Sequence, residues 1–478
     1  MPLPLVQCPA PAQEASAIAG EQPRCPTATS DIPERADPVS RAPALTVERY
    51  DEDWSALADA RARTGRWTER FKYLPLNSDG SVYITTGIEV RARSESYSAP
   101  SWGAAPDFDY VWTRVMPYAD VHVGSVRFFV QPLAAHVIGR APPHRPADRT
   151  GTDVLQALAE FELTVGASGS LRTSVGRQLV SLGGGRLIDT RYGPNVPMPF
   201  DGLQARFETT RAKVTMFDLR PVETGPHDFD DRGSSRRRVW GVYGAIWREG
   251  SRETGTDLYY IGFRDRRAVF EQGAARELLH TFGVREFGQH GPGHWNVEGV
   301  LQSGSFGHAS VSAWGLGMEI GRRFDSTPFR PDLTLILDIA SGDRDPARKT
   351  LQTFNPLFPR GKYFGALSPV GPRNVIHLNP SLALHPAKRV GLSLAASAFW
   401  RQSRRDGVYG IAGDLVRRGG SSRDRFVGSQ FEAAGSLQLT PELSLSTSLS
   451  AFAPGAFIRA TGPARTTLMS ASTISFRF

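Results

Sequence analysis

The chain has no hydrophobic run long enough to form a membrane-spanning helix. Such a helix needs about 20 consecutive apolar residues, and no segment of the 478-residue sequence approaches that length. Cysteine is almost absent as well, since Cys8 and Cys25 are the only two and both lie in the proline-rich start. A helical membrane protein is therefore excluded, and the body of the chain cannot be held together by disulfides.

Motifs for catalysis and metal binding are also lacking. There is no G-x-S-x-G sequence, and the ten histidines do not show the H-E-x-x-H spacing of a zinc protease. His227 and Asp228 form the nearest catalytic pair, but no recognisable nucleophile accompanies them. We therefore expect that the protein is not an enzyme, with a catalytic barrel as the alternative from another class.

The charge balance is basic, with a formal net charge of +8. A basic chain is often a nucleic-acid binder, but neither a lysine- and arginine-rich recognition helix nor zinc-finger spacing is present. We therefore expect no nucleic-acid partner. If the basic residues face a water-filled interior instead, they would attract anions.

Alternation of apolar and polar residues with a period of two is abundant. Between Tyr83 and Glu95, one face holds Ile84, Thr86, Ile88, Val90 and Ala92, and the other holds Thr85, Glu89, Arg91, Arg93 and Glu95. A single arginine facing lipid near the bilayer midplane costs about 2–4 kcal/mol, so these charges are predicted to line an interior. The same sorting places further charged residues in that lumen: the bases Arg114, Arg127 and Arg206 and the acids Asp120, Glu160, Glu162 and Glu208.

The end of the chain is typical of one class of membrane protein. Residues from Leu468 onward alternate and finish in the aromatic Phe478, as the last strand of a bacterial outer-membrane barrel does. Short and long connections alternate between the predicted strands, which is the outer-membrane pattern. The sequence therefore predicts an all-β fold, an antiparallel transmembrane β-barrel of about 18 strands over residues 81–478. A soluble sandwich is the alternative, although it rarely places several charges per strand on a concave face.

The segments before the barrel are predicted to differ from it. Residues 1–45 contain nine prolines and are expected to be a disordered tail, with Cys8 and Cys25 as thiols without a role or as a periplasmic disulfide. Residues 46–80 are expected to hold a short helix, Asp51 to Arg63, resting against the periplasmic rim. Because residues 1–13 do not resemble a signal peptide, we expect the true start to lie upstream.

Three stretches resemble the alginate export family of outer-membrane proteins. The first runs from Tyr50 to Tyr97 and contains a K-Y-x-P-L element and a first strand with alternating arginines. The second, Gly176 to Arg206, contains the G-R-Q, G-R-L and R-x-G-P-N elements. The third, Ala340 to Pro380, contains S-G-D, F-N-P-L-F-P and G-x-Y-F-G. The order and spacing of these stretches place the rest of the chain in the same barrel.

This resemblance implies an eighteen-stranded barrel whose electropositive constriction passes an anionic uronate polymer. Carried onto matching positions, the basic lumen falls on Arg91, Arg93, Arg177, Arg186, Arg191, Arg360 and Lys362. Arg177 needs a bulge or a strand end, because alternation from Val175 would point it outward. Members of the family can also carry a long periplasmic segment over the lower mouth. Only short turns are predicted on that side here, so gating is expected to differ.

The predicted function is an outer-membrane channel for an alginate-like polysaccharide. The alternative is a general or differently specific anion-selective porin for small solutes, and many arginine–acid pairs would then only brace the wall. Expected partners are outer-membrane lipid, lipopolysaccharide, the barrel-assembly machinery that recognises Phe478, and periplasmic export components. No cofactor is expected; a loop calcium ion at Asp343 with Asp345, or at His227, Asp228, Asp230 and Asp231, is the alternative to solvated loop acids.

Overall fold

The computed structural model describes residue 43 and residues 45–140, 147–225 and 227–478. Apart from Pro43 and Leu45, the predicted tail with Cys8 and Cys25 lies outside these residues. In the described part of the chain, no helix is both long and apolar enough to cross a membrane.

Eighteen antiparallel strands form one closed sheet, which confirms the predicted barrel. In chain order they are β1 Val82–Ser98, β2 Phe108–Val123, β3 Val126–Arg140, β4 Gly151–Val165, β5 Gly169–Leu179, β6 Pro199–Glu208, β7 Ala212–Glu223, β8 Arg237–Arg248, β9 Ser251–Phe270, β10 Gly273–His290, β11 Gly293–Phe306, β12 Ala309–Arg323, β13 Asp332–Ala340, β14 Val375–Ala387, β15 Val390–Trp400, β16 Phe426–Gln438, β17 Leu443–Pro454 and β18 Thr467–Arg477. Strand β1 pairs with both β2 and β18. The sheet therefore has no free edge, and its backbone groups are paired internally as lipid requires.

Side chains sort between the two faces of the sheet as the alternation predicts. On β1, Val90 is 38% exposed on the outer wall, whereas Arg91 beside it is 7% exposed and faces inward. Large apolar side chains lie on the outside all around the barrel, including Leu301 on β11 and Leu449 on β17. The outer wall is therefore apolar and the inner wall polar, because successive side chains of a strand point to opposite faces.

The connections at one end of the barrel are short, between two and eight residues, and include residues 124–125, 209–211 and 388–389. The opposite end carries the long loops 180–198, 341–374 and 401–425. Loops 180–198 and 341–374 fold into the lumen, where Ile188 forms a β-bridge with Phe358. The ring of Phe358 packs edge-on against Phe200 of β6 at a centroid distance of 5.3 Å. These two loops therefore narrow the barrel from within.

The segment before β1 forms four 3-10 turns instead of the single helix expected over 51–63: Arg49–Asp51, Ser55–Ala58, Ala60–Ala62 and Trp67–Phe71. The carboxylate of Asp59 accepts hydrogen bonds from the backbone N–H of Arg61, and such local bonds compete with an α-helix. The segment lies inside the mouth at the short-turn end. There, Tyr50 packs against the inward-facing Phe129 of β3 at 5.5 Å.

Candidate lumenal site

One charged part of the lumen is built from two strands and two loops. Strand β1 presents four charged residues at alternate positions, and β2 adds one; loops 180–198 and 341–374 cover them. We call this set the lumen cluster: Glu89, Arg91, Arg93, Glu95, Arg114, Tyr192 and Lys362. The cluster follows from alternation on β1, which turns every second side chain inward.

Arg114 and Glu89 form a fully buried ion pair in the lumen cluster. The Arg114 Nη2 atom lies 2.5 Å from Glu89 Oε1, and both side chains are 0% exposed. Arg114 Nη1 also donates to the backbone oxygens of Tyr192 and Pro194 at 3.2 Å, and the Tyr192 hydroxyl donates to Glu89. This pair therefore attaches loop 180–198 to the wall, and Arg114 braces the barrel.

Arg91 and Arg93 differ in the kind of partner that they contact. Arg91 Nη2 donates to the oxygen of Pro194 at 2.6 Å, while its Nε has no hydrogen-bond partner among the described residues. Arg93 donates to Glu95 at 2.5 Å and to Thr473 at 3.0 Å, and its Nη2 is without a partner in the described chain. Both of these unpartnered atoms are buried; Arg93 is paired with Glu95, whereas Arg91 has no carboxylate within 4.0 Å in the described part of the chain. A guanidinium group of the latter kind can bind a carboxylate in a bidentate manner.

Lys362 reaches the cluster from loop 341–374. Its Nζ lies 3.9 Å from Glu95 Oε1, and its side chain is 12% exposed. Burial and the neighbouring charge of Arg93 lower the pKa of Lys362 to about 7. Four cationic side chains and two carboxylates therefore meet here, with a third carboxylate, Glu432, bonded to the N–H of Ala366 nearby.

A second charged group lies where the same loops contact β11, β13 and β14. Arg186 of loop 180–198 pairs with Asp338 of β13 and lies 3.5 Å from Glu298 of β11. Tyr363 donates to Asp338 at 3.2 Å. The guanidinium of Arg360 lies 5.0 Å from the centre of the Tyr363 ring. Arg186 is therefore neutralised by acids, whereas Arg360 lies over an aromatic ring.

Most of the remaining predicted residues have partners along the wall. The Arg127 guanidinium donates to Asp120 at 2.8 and 2.9 Å, and Arg206 donates to Gln204 at 3.1 Å. Their predicted acidic neighbours are paired as follows: Glu160 with Tyr50, Glu162 with Arg172 and Glu208 with Arg252. These contacts stiffen the lower wall.

Arg177 differs from the expected lumenal placement, and Arg191 lies between the two inner loops. The β5–β6 register is continuous through Arg177, which lies opposite Asp201 without the bulge that the lumenal placement requires. It therefore lies on the same side of the sheet as the exposed Val175, and it donates to Asp201 at 2.8 Å. Arg191 donates to the oxygen of Pro359 at 2.9 Å and so joins the two inner loops. Burial, with the charge of Arg237, lowers the pKa of Arg191 to about 10.

Three tyrosines of the site were not singled out in the sequence. Tyr192 and Tyr363 lie in the inner loops, and the hydroxyl of Tyr110 on β2 donates to Glu95 at 2.7 Å. Tyr110 shares the alternation of Arg114 and was identifiable from that register. Tyr192 and Tyr363 were not, because the folding of a loop into the lumen depends on contacts distant in sequence.

The acidic loop residues that were the alternative calcium ligands have protein partners. Asp343 is buried and accepts from the N–H of Asp345, which is itself 3.4 Å from Arg348. Within the described ranges, the one cluster of three acids close enough to share an ion is Asp153, Asp230 and Asp231. Asp153 already accepts from the N–H of Asp231 at 3.0 Å.

The comparisons with known proteins agree with this architecture. A family model described as alginate export matches residues 82–471. The chain belongs to the alginate export family. No curated protein sequence matches the chain significantly.

Solved porin structures share the barrel of this alginate export family member. The chain is similar to Pseudomonas aeruginosa OccK5 (OpdH), with a TM-score of 0.55 and 11% identity over 83% of this chain and 98% of that one. For Acinetobacter baumannii OccAB1, the TM-score is 0.54 and the identity is 13%, over 86% of this chain and 99% of that one. For P. aeruginosa OccK2 (OpdF) in complex with glucuronate, the TM-score is 0.53 and the identity is 12%, over 83% of this chain and 98% of that one. The likeness concerns the fold, and together with the family it identifies an outer-membrane channel of the porin type.

The lower mouth of this outer-membrane channel is occupied by its own N-terminal segment. The Arg127 Nη2 atom donates to the backbone oxygen of Tyr50 at 2.6 Å. Lys72 donates to the carbonyl oxygen of Thr86 at 2.7 Å. On the rim, the ring of Phe478 lies 5.3 Å from Phe71 and 5.5 Å from Trp67. The expected short turns are present, and the segment before β1 covers the mouth.

Proposed function

We propose that this channel passes an anionic uronate polymer of the alginate type through the lumen cluster, and that it acts as a conduit without catalysis. The observation that supports this most directly is the charge of the lumen cluster, where four cationic side chains meet two carboxylates and Arg91 donates to backbone oxygens alone. A carboxylate of a uronate ring would pair with this guanidinium group. Neutral sugars offer no such charge.

Weak, repeated binding is what transport of a polymer requires, since the chain must enter and leave. Guanidinium groups remain charged at every relevant pH and match carboxylate geometry. In a wet lumen, each such pair contributes about 1 kcal/mol or less, so successive carboxylates can exchange between neighbouring cations. The arginines that are already neutralised, such as Arg114 and Arg186, would instead hold the loops that shape the path.

A channel for small anionic solutes is the second candidate, and one observation favours it. Arg91 and Arg93 are only 7% and 9% exposed, and the N-terminal segment occupies the lower mouth. A narrow path of this kind suits a monosaccharide acid better than a polymer unless the segment or the inner loops move. OccK2, a structure of the same fold, was solved with glucuronate.

The test is single-channel conductance of the refolded protein in a planar bilayer, with reversal potentials in a KCl gradient and titration with oligouronates. We expect anion selectivity and a block by oligouronates. The duration of each blocking event should increase with the length of the oligouronate, whereas neutral oligosaccharides should have little effect. R91E/R93E should remove both properties. R211E/R248E, which reverses two charges paired with exposed Glu249 and Glu286 outside the lumen, should change neither.

The outcomes separate the two candidates. Block by glucuronate that does not increase with oligomer length would favour the small-solute channel. Unchanged selectivity in R91E/R93E would contradict the role of the lumen cluster in either case.

A further inference from the structure

We propose that a phosphorylated glycolipid of the outer leaflet binds the outer wall of the barrel across β14–β18, with an acyl chain in a groove and its phosphates on arginines of the loops above. Lipopolysaccharide is an expected neighbour of any such barrel; the structure assigns it a place. The inference is independent of what passes through the lumen.

The groove lies on the membrane-facing side of these strands and has a volume of about 860 Å³. It forms where small outward side chains, Ala433, Ala451 and Ser470, lie beside large exposed ones, Leu394, Phe431, Leu449 and Leu468. It follows the row of paired residues in which Leu468 lies opposite Ala451 and Ala451 opposite Phe431. Because neighbouring strands are about 4.8 Å apart, the row from β14 to β1 is about 24 Å long.

An aromatic pair marks the upper end of the strands that form the groove. Trp400, the last residue of β15, and Phe426, the first of β16, face each other with ring centroids 5.7 Å apart. Trp400 alternates with the inward-facing, fully buried Phe399, so it lies on the outer wall. Aromatic side chains at this position of outer-membrane barrels lie at the level of the lipid headgroups. An acyl chain in the groove would therefore place its headgroup beside the loops that follow.

Those loops are strongly basic. Loops 401–425 and 455–466 together contain nine arginines and three aspartates. The fully buried Arg401 holds one loop in place, because its Nη2 donates to the oxygens of Asp424 at 2.6 Å and Ser422 at 3.0 Å. Its guanidinium also lies 3.8 Å from the ring centre of Phe457, in the other loop. Arg401 thus fixes the backbone on either side of Arg423 and packs the two loops together.

Five arginines of these loops are exposed without a carboxylate within 4.0 Å among the described residues: Arg404, Arg423, Arg425, Arg459 and Arg465. Other arginines of the same loops do have carboxylate partners: Arg405 lies 3.6 Å from Asp345, and Arg418 lies 3.9 Å from Glu271. Asp424, between Arg423 and Arg425, accepts from the hydroxyl of Ser422. Basic side chains without carboxylate partners, in the loops above an acyl-sized groove, complement a phosphorylated lipid.

The test is native mass spectrometry of the folded full-length barrel in detergent with hexa-acylated, bisphosphorylated lipid A. We expect one lipid A to be retained by the wild type and a loss of affinity of at least about tenfold in R423E/R425E. A433W/A451W, which fills the groove from the outer wall, should lose binding to a similar extent. R266E/R267E is the matched control, since both arginines are exposed near the C-terminal end of β9, a strand that does not line the groove. This variant should bind lipid A as the wild type does.

Several results would overturn the proposal. These are equal retention by R423E/R425E and its control, equal binding of dephosphorylated lipid A, or equal competition by phosphatidylglycerol. A concentration-dependent oligomer that A433W/A451W abolishes and R423E/R425E leaves intact would assign the groove to a second copy of the chain instead. Heat-modifiable gel mobility verifies folding of each variant, and R423Q/R425Q replaces the charge reversal if that variant does not fold.

Discussion

The Nζ atom of Lys72 lies 2.5 Å from the phenolic oxygen of Tyr118, inside the lower mouth of the barrel. Lys72 ends the N-terminal segment, and Tyr118 faces inward from β2. Burial, together with the charge of Arg49, lowers the pKa of Lys72 to about 7. The contact therefore joins the segment that covers the mouth to the wall through a group that titrates near neutral pH.

Docking of this segment should strengthen as the pH rises from about 7 towards about 10. An undocked lysine has a pKa of about 10.4, so the undocked state binds more protons over this interval, and raising the pH favours the docked state. The rate of tryptic cleavage after Arg61 and Arg63, normalised to K72M at each pH, should fall as the pH rises. A ratio that does not vary with pH would contradict the assignment.

Deleting residues 46–66 should raise the single-channel conductance. The deleted segment includes Tyr50, which contacts Phe129 and Glu160 of the inner wall, and its removal widens the mouth. Residues 67–72 stay in place to keep the contacts with Phe478. Planar-bilayer recording measures the effect, with heat-modifiable mobility as the control for folding. Wild-type conductance after the deletion would place the narrowest point elsewhere.

Anion selectivity should decrease between about pH 6 and pH 8. Because the pKa of Lys362 is lowered to about 7, this side chain is mostly charged below that interval and mostly neutral above it. The reversal potential in a KCl gradient measures the change. K362M should show the lower selectivity at both pH values, whereas K362R should keep the higher one. Equal pH dependence in K362M and the wild type would assign the titration to another group.

Breaking the Arg114–Glu89 pair should destabilise the barrel more than removing both partners. R114M leaves the 0% exposed carboxylate of Glu89 without its cation, and an uncompensated buried charge costs about 3–5 kcal/mol. R114M/E89Q removes both charges and should recover part of this loss. Urea-induced unfolding in micelles, followed by gel mobility, gives both values. If the double variant lost as much unfolding free energy as R114M and E89Q lose together, the two residues would not stabilise each other, and the prediction would be wrong.

F478A should slow assembly of the barrel in cells. The backbone N–H of Phe478 donates to the oxygen of Ile88 at 3.1 Å, and its ring packs on Trp67 and Phe71. The final residue therefore contributes to closing the seam between β18 and β1 as well as to the predicted assembly signal. Pulse-chase measurement of the heat-modifiable form should show delayed conversion, with F478Y near the wild-type rate. A normal rate of conversion in F478A would contradict a role of the Phe478 ring in closing the seam and in the assembly signal.

Regular alternation made most of the barrel predictable. The charges of β1 and the apolar positions of β16 and β17 follow from a period of two, and the structure places them on the expected faces. The stretch 238–320 shows less regular alternation in the sequence, yet it forms long paired strands, β8 to β12, joined at tight turns such as residues 249–250 and 307–308. Their regularity comes from pairing with both neighbours, which a single strand's sequence does not display.

At Arg177, the family motif and strict alternation predicted different faces of the sheet. The family motif suggested a lumenal arginine, whereas strict alternation from Val175 indicated the outer side, and the continuous register supports the alternation. A motif conveys the residue type at a position, while the facing direction depends on the hydrogen-bond register of the sheet.

The sequence by itself determined the closed antiparallel barrel and which residues of each strand face inward, because strand geometry converts alternation directly into two faces. Tertiary structure decided which of those charges are paired. Arg114, Arg186 and Arg93 are paired with Glu89, Asp338 and Glu95, whereas Arg91 donates to backbone oxygens of loop 180–198 and has no carboxylate within 4.0 Å among the described residues. It also decided that loops 180–198 and 341–374 fold into the lumen, since these packing contacts join residues more than 150 positions apart and leave no local pattern in the chain.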